Sequence, residues 1–545
     1  MKKALLSLLL ISYIAHSQQL TTSNLPIIII DTKGKVILDE PKVSAEMKII
    51  NNGKGKTNKI TDKPTDYDGL IGIELRGSSS QMWPKKPYGF ELQDAKGNAL
   101  NASIFGFPPE SDFTLFASYN ERSLMHAVLA FKLAREIFPY ASRTQYIELV
   151  LNGQYQGIYV VMERIKRDVN RVNISNLREE DIKGDELTGG YIIKIDKPTG
   201  SNLGSWTSQY SNNPMNPAKK SVYFYEAPKS INNFQKAYIK AFMDSVENAI
   251  QAPNFTDPRM GYRKFINTSS FVKMMVLNEV TKNIDGYRIS SFFYKDKNSK
   301  DGRLVCGPPW DYDFSFGMPD YCDGWTTFNF VFENFNTICS NDNWQVPFFW
   351  NRLVQDKAFY NELKTEYTFQ RIKGALRLER IKAHIDSMAT ELQEAQVRNF
   401  QKWRILGRYD WPTKTFPATW EGEVAEIFPW VEARLNWLDR QWLDVSLIGQ
   451  ITSNEDEIGN TDLKIYPNPV SERFKVEFYS SKAQKVNFLI SDELGRTIYT
   501  TDKEVNFGLN QIELNAEKML KSNSINVIHL NIDGKKFSQK VVKQF

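Results

Sequence analysis

The chain is 545 residues long, enough for about two to four domains and a large core. Its 34 Phe, 24 Tyr and 12 Trp, with no low-complexity tract, mark it as folded over most of its length. The formal net charge of +5 includes Lys2 and Lys3 of an expected leader; the remainder is nearly balanced and gives no argument for nucleic acid.

MKK, the apolar run ALLSLLLISYIA and the small-residue site Ala15-His16-Ser17 read as an export signal over residues 1–17, cleaved before Gln18. The run is too short for a permanent span, and no later segment reaches membrane length. Strands are predicted at LPIIIIDT, SAEMKII, GLIGIELRG and PYGFELQD. A helix follows at SLMHAVLAFKLAREIF, with Leu124, Val128, Leu129, Phe131 and Leu133 on its apolar face and Asn120 or Ser123 as its cap. QYIELVLNGQYQGIYVVMERI reads as a hairpin turning at Asn152-Gly153, and GGYIIKID as a further strand. Residues from about 234 to 282, 356 to 403 and EVAEIFPWVEARLNWLDRQWL carry helical periodicity. Residues 446–462 turn polar and read as a linker; residues 463–545 alternate as strands.

The segment from Asn283 to Gly317 carries the chemistry. FVKMMVLNEVTKNID has helical spacing, and SSFFYKD and RLVCGPPW are strands joined by the breaker-rich KNSKDG. Asp285 and the Asp311/Asp313 pair are thereby brought toward one another at the far end of a hairpin. Converging carboxylates suit a divalent cation that carries a phosphate, because Mg²⁺ takes one or two carboxylates plus phosphate oxygens. The same aspartates also fit turn and cap positions, and spacing alone leaves both readings open.

The remaining residues exclude other chemistries. After the leader the histidines are His126, His384 and His529, all dispersed, and no HExxH or Cys/His cluster exists, which argues against a zinc enzyme. No GxSxG elbow is present. In an oxidising compartment Cys322 and Cys339, flanking an aromatic stretch, are the expected disulfide, with Cys306 a free core thiol. The insert YCDGWTTFNFVFENFNTICSND is expected to cover the core rather than shape a substrate entrance, because that disulfide would pin it. Trp83 and Trp310 are expected to pack rather than to stack on a base.

Five motifs in order, LRGSSSQMWPKKPYGFEL, DFTLFASYNERSLMHAVLAFKLARE, ELVLNGQYQGIYVVMERI, GGYIIKID and the NIDGYR–PWDYDFSFG pair, give residues 24–445 a resemblance to the CotH kinase family of atypical protein kinases. LKIYPNPVSERFKVEF and ELGRTIY make the tail resemble a type IX secretion C-terminal sorting domain. The resemblance implies an α+β chain: an atypical protein-kinase-like domain over 18–445 with a helical C-terminal half, then a small all-β sandwich over 463–545. It implies export across the outer membrane of a Bacteroidetes-type cell to the surface or medium, through the type IX machinery. ATP with Mg²⁺ or Mn²⁺ would be the cofactors, and an unidentified protein or glycan hydroxyl the acceptor. Asp285 would be the catalytic base; Asp311, ahead of Asp313, would hold the metal. Arg76, Ser78, Lys85 and Lys86 would grip phosphate, with Glu163 paired to one of the lysines or acting as a further metal ligand. Each has a plainer reading: a solvated basic edge for the cations, local charge balance for Glu163. Ser290 occupies the position where such sequences carry a metal-binding asparagine, and its hydroxyl is a weaker ligand. NERSLMHA replaces a Leu-Arg-Asn helix start, with Arg122 nearby. A surface adhesion module that keeps the fold without the chemistry, and a transferase acting on a glycan, are the alternatives.

Overall fold

A computed structural model describes residues 19–198, 203–448, 463–480, 484–493, 495–505, 508–522, 524–532 and 535–543. The expected leader over 1–17 and most of the expected linker lie outside these residues. The described chain divides into two compact units, one ending at Asp444 and the other beginning at Val445.

The first unit opens with seven strands that alternate apolar and polar residues. They close into a barrel in the order Ile27–Asp31, Val43–Ile50, Tyr67–Leu75, Tyr88–Gln93, Asp112–Phe116, Gln154–Glu163 and Thr144–Leu151. Six pairings are antiparallel; the closing one, Ile27–Asp31 on Thr144–Leu151, is parallel, with Ile27 opposite Glu148. Because strand side chains alternate with a period of two, one residue in two points inward. Ile28, Ile30, Met47, Ile71, Phe90 and Leu149, among others, fill the interior. The expected hairpin turn is present: Asn152 and Gly153 both have positive φ, 49° and 72°, as a two-residue turn between twisted strands requires.

Helix α1 (His126–Ile137) begins three residues later than its periodicity suggested. Leu124 has φ 66° and ends any helical run there. Neither Asn120 nor Ser123 caps it; the Glu121 carboxylate accepts the amide of His126 at 3.2 Å instead. Past the barrel, an antiparallel five-stranded sheet runs in the order Ser205–Ser211, Lys220–Ala227, Tyr191–Ile195, Ser291–Lys295 and Leu304–Cys306. Helix α2 (Asn233–Gln251) starts with a reciprocal capping box between Asn232 and Gln235. Helix α3 (Thr268–Thr281) is buried on nearly every face. The later helices α4 (Val331–Ile338), α5 (Phe348–Leu353), α6 (Lys357–Ile372), α7 (Leu378–Leu392), α8 (Ala395–Lys402) and α9 (Trp420–Trp442) complete the core, with α6 and α9 against α3 and α8 against the Gln154–Glu163 strand. The C-terminal half of this unit is therefore helical.

Cys322 and Cys339 are bridged, their Cα atoms 5.5 Å apart, and Cys306 is a buried free thiol, as expected. The aromatic insert between the bridged cysteines covers the core: Val331, Phe332 and Phe335 are buried.

Among the described residues the second unit carries a helical stretch at 445–448, strands from Lys464 onward and one short helix among them, Ala516–Met519. A three-stranded sheet (Lys464–Tyr466, Arg473–Ser480, Gly508–Asn515) and a four-stranded sheet (Thr497–Val505, Gln484–Asp492, Ile525–Ile532, Lys535–Val542) share one core built on Phe474, Val476, Phe488, Ile490 and Leu530.

Candidate functional site

Helix α3 delivers the first carboxylate. Lys282 takes a left-handed conformation at its C-cap, φ 45°, and turns the chain into Asn283-Ile284-Asp285. Asn283 then ties the two carboxylate-bearing segments together. Its side-chain Oδ1 accepts the Asp285 amide at 3.1 Å, and its Nδ2 donates to the Asp311 carbonyl at 2.8 Å. The Tyr312 hydroxyl donates to Asn278 of α3 at 2.6 Å, and the Phe316 amide to the Thr281 carbonyl at 2.7 Å. The Trp310–Phe316 segment is thus laced onto the end of α3. Tyr287, Ser290, Asp311 and Phe316 all hold positive φ, between 50° and 72°. Such backbone is costly for residues other than glycine and persists where the surroundings over-determine it.

The result is a cleft of about 510 Å³ with Asp285, Asp311 and Asp313 together on its wall. Asp311 is pushed above the usual carboxylate range by burial and then by the charge of Asp285. Asp313 is pushed further, by burial and then by the charges of Asp311 and Asp285. Both carboxyls are thereby held toward their protonated forms. Among the described residues no group of three or more His, Cys, Asp or Glu side chains is arranged to hold a metal ion by itself. A divalent cation here would need oxygens from a bound phosphate or water to complete its shell, which is the habit of Mg²⁺. The donor set fits such an ion: hard oxygens, crowded negative charge and a proton that a cation would displace.

The same cleft holds the anion-binding half. Arg76, from the end of the Tyr67–Leu75 strand, lines it, and its Nη1 is buried with no hydrogen-bond partner. Burial and the neighbouring Arg164 bring that guanidinium down to about 10, so it is cationic at neutral pH. Gly77 follows with φ +90°, and a Cβ there would lie 1.9 Å from Ser80 Oγ. Only glycine lets the Ser78–Ser80 turn fold over the cleft. Asn120 also lines the cleft with a buried, unpartnered Nδ2. Both residues line the one cleft and each carries a buried donor without a partner, the kind of group that a bound phosphate satisfies.

Three expected residues stand elsewhere. Lys85 is buried, and its ammonium donates to the carbonyls of Ser118 and Ile158 and to Asn399 Oδ1 of α8, 3.1 Å away. Burial draws it down to about 7. It bridges the barrel to α8 and does not line the cleft. Lys86 donates to the Gln81 carbonyl at 2.6 Å and closes its own turn. Glu163 pairs with neither lysine: it accepts from Arg143 Nη1 at 2.8 Å and lies 3.7 Å from Arg171 Nε. It is fully enclosed and does not line the cleft, although its neighbours Met162 and Arg164 do. Ser290 lines the cleft but donates its hydroxyl to Asp311 Oδ2 at 2.8 Å. Trp83 stacks on Tyr119, Trp310 meets Phe131 and Phe292 edge-on, and both side chains also line the cleft.

Lys194, Asp196 and Lys197 were missed. Lys194 and Asp196 stand on the cleft side of the Tyr191–Ile195 strand and its continuation, with Lys194 Nζ 3.0 Å from Asp196 and 3.7 Å from Glu226. The alternation in GGYIIKID, which sets Ile192, Lys194 and Asp196 on one face, was the available signal.

Known families bear on this site directly. The family model for the secretion system C-terminal sorting domain matches residues 464–544, which indicates export to the cell surface or secretion. No described helix is long and apolar enough to cross a membrane. No curated protein matches the chain. The family model described as CotH kinase protein matches residues 73–438, well over half of the chain and inclusive of every cleft carboxylate discussed above. The chain belongs to the CotH kinase protein family.

Proposed function

We propose that the protein is an exported phosphotransferase that moves the γ-phosphoryl group of ATP to a hydroxyl acceptor on a protein or glycan. Residues 18–445 would form the kinase-like catalytic region and residues 463–545 the part read by the type IX machinery. The observation that carries the proposal is the cleft itself: Asp285, Asp311 and Asp313 share it with the unpartnered guanidinium nitrogen of Arg76. Asp311 and Asp313 would hold Mg²⁺ or Mn²⁺, which when bound supplies charge neutralisation on the phosphate oxygens. Arg76 and the Ser78–Ser80 turn bind phosphate oxygens and orient them. Asp285 accepts the acceptor's hydroxyl proton as its oxygen bonds the γ-phosphorus and the bond to ADP breaks. Ser290 donates its hydroxyl hydrogen to Asp311 and keeps its oxygen lone pairs, so it would be a weaker ligand beside that carboxylate than an amide carbonyl.

A binding module without chemistry is the second reading. It is favoured by Lys85 and Glu163, which do not form the ion pair that protein kinases use on the nucleotide. Isothermal titration of ATP with Mg²⁺ or Mn²⁺ into the full chain decides between them. Metal-dependent binding lost in Asp311→Ala supports the phosphotransferase. Absence of binding by the folded wild type with either metal leaves the binding module.

A further inference from the structure

Arg288 stands three residues beyond Asp285, and its contacts run in two directions. It is 3% exposed. Its Nη2 donates to Asp285 Oδ1 at 2.6 Å, and its Nε donates to the Ile284 carbonyl at 2.7 Å. Its Nη1 reaches across to Asp342 Oδ1 at 3.3 Å and the Trp344 carbonyl at 3.2 Å. The guanidinium lies over the ring of Phe335, 4.4 Å from its centroid. A planar fork held at this many points has little freedom left. By taking one oxygen of Asp285 it fixes the rotation of that carboxylate, and its charge offsets the repulsion from Asp311 and Asp313.

The far side of this clamp is tied to the disulfide. Phe335 lies on α4, which runs directly into Cys339. The Asp342 amide donates to the Cys339 carbonyl at 2.9 Å, and Gln345 Nε2 donates to the carbonyls of both Cys339 and Asp342, each at 2.9 Å. The Trp344 amide donates back to Asp342 Oδ1 at 2.8 Å. Arg288's two outer acceptors therefore sit in one hydrogen-bonded loop whose first residue is Cys339, bridged to Cys322. Both cysteines are half-buried rather than enclosed in the core.

We propose that Arg288 is a positioning residue for Asp285, held in place by the loop that the Cys322–Cys339 bridge anchors, so that oxidation completes the transfer-competent arrangement. The inference rests on the phosphotransferase reading. Forming the bridge removes two protons and two electrons from the thiols and passes them to an external disulfide, which leaves as two thiols. That exchange proceeds in oxidising compartments and is opposed in the cytoplasm. The chain would then be idle where ATP is plentiful and competent after export.

ADP release from Mn²⁺·ATP, with titration of Mn²⁺·ATP binding on the same samples, tests this on the full chain. Reduction by dithiothreitol, or the Cys322→Ser/Cys339→Ser pair, is expected to lower kcat by roughly 10- to 100-fold while leaving Mn²⁺·ATP affinity within about twofold. Arg288→Met should lose as much, Arg288→Lys should recover part of the loss, and reduction should add nothing to Arg288→Met. Wild-type turnover indifferent to reduction, or a reduction penalty undiminished in Arg288→Met, would overturn the inference and leave the phosphotransferase standing. A loss residing in affinity rather than kcat would also overturn it. No turnover by the oxidised wild type would sink both.

Discussion

Behind Asp285, helix α3 is held to helix α9 by an ion pair with no exposed atoms. Arg434 Nη2 donates to Glu279 Oε2 at 2.9 Å, and both side chains have 0% exposure. Glu279 also accepts from the amides of Val331 and Phe332 at 3.0 and 3.1 Å and from the Tyr287 hydroxyl at 3.1 Å. Arg434 also donates to the carbonyls of Glu279, Thr327 and Asn329. Burial pushes Glu279 above its usual range and Arg434 down to about 10, both toward their neutral forms. The cost of taking both ions out of water offsets much of their attraction. Arg434→Met leaves a buried carboxylate without its cation and three carbonyls short of a donor, and should destabilise the first unit by about 3–5 kcal/mol. Adding Glu279→Gln to Arg434→Met removes the orphaned charge and should recover about half of that or more. Urea denaturation of the full chain, followed by tryptophan fluorescence, reads Arg434→Met, Glu279→Gln and the double variant. A single variant within about 1 kcal/mol of wild type, or a double variant as unstable as the two singles summed, would refute the assignment.

The cleft makes further predictions. Arg76→Met should weaken Mn²⁺·ATP binding by about 1.5–3 kcal/mol, the usual worth of a charge-assisted hydrogen bond, with urea stability little changed. Lys85→Met should do the opposite: three buried acceptors lose their donor, costing about 1–3 kcal/mol of stability, while nucleotide affinity holds. The raised Asp311 and Asp313 carboxyls set a pH dependence. The folded state binds protons that the unfolded state has already released. Metal-free stability should therefore fall as pH rises from the ordinary carboxylate range toward the raised values. Mn²⁺, competing with those protons, should raise the melting temperature more at pH 8 than at pH 5.5. Equal shifts at both values would count against Asp311 and Asp313 as the ligands.

Much of this was legible in the residues because it is local. Asp285, Asp311 and Asp313 lie at the ends of one helix–hairpin unit, so spacing alone brought them together. The strands announced themselves by alternation and Asn152-Gly153 by turn chemistry. What escaped depended on distant partners. Barrel closure comes from a parallel pairing between Ile27–Asp31 and Thr144–Leu151, and nothing in either strand names the other. Lys85 was read beside its neighbours Arg76 and Ser78, yet its acceptor Asn399 lies on a helix more than three hundred residues away. Glu163 was assigned to a lysine, and two arginines from other segments took it. Lys194 and Asp196 were visible in the strand alternation and went unread.

If this cleft transfers phosphoryl groups with Asp285 as the base, ADP release from Mn²⁺·ATP by the full chain, wild type against Asp285→Asn, reads it out. Metal-dependent turnover is expected to fall by about 10²- to 10⁴-fold in Asp285→Asn while Mn²⁺·ATP affinity is retained. Turnover in Asp285→Asn equal to wild type, or none in a wild type that binds Mn²⁺·ATP, would contradict it.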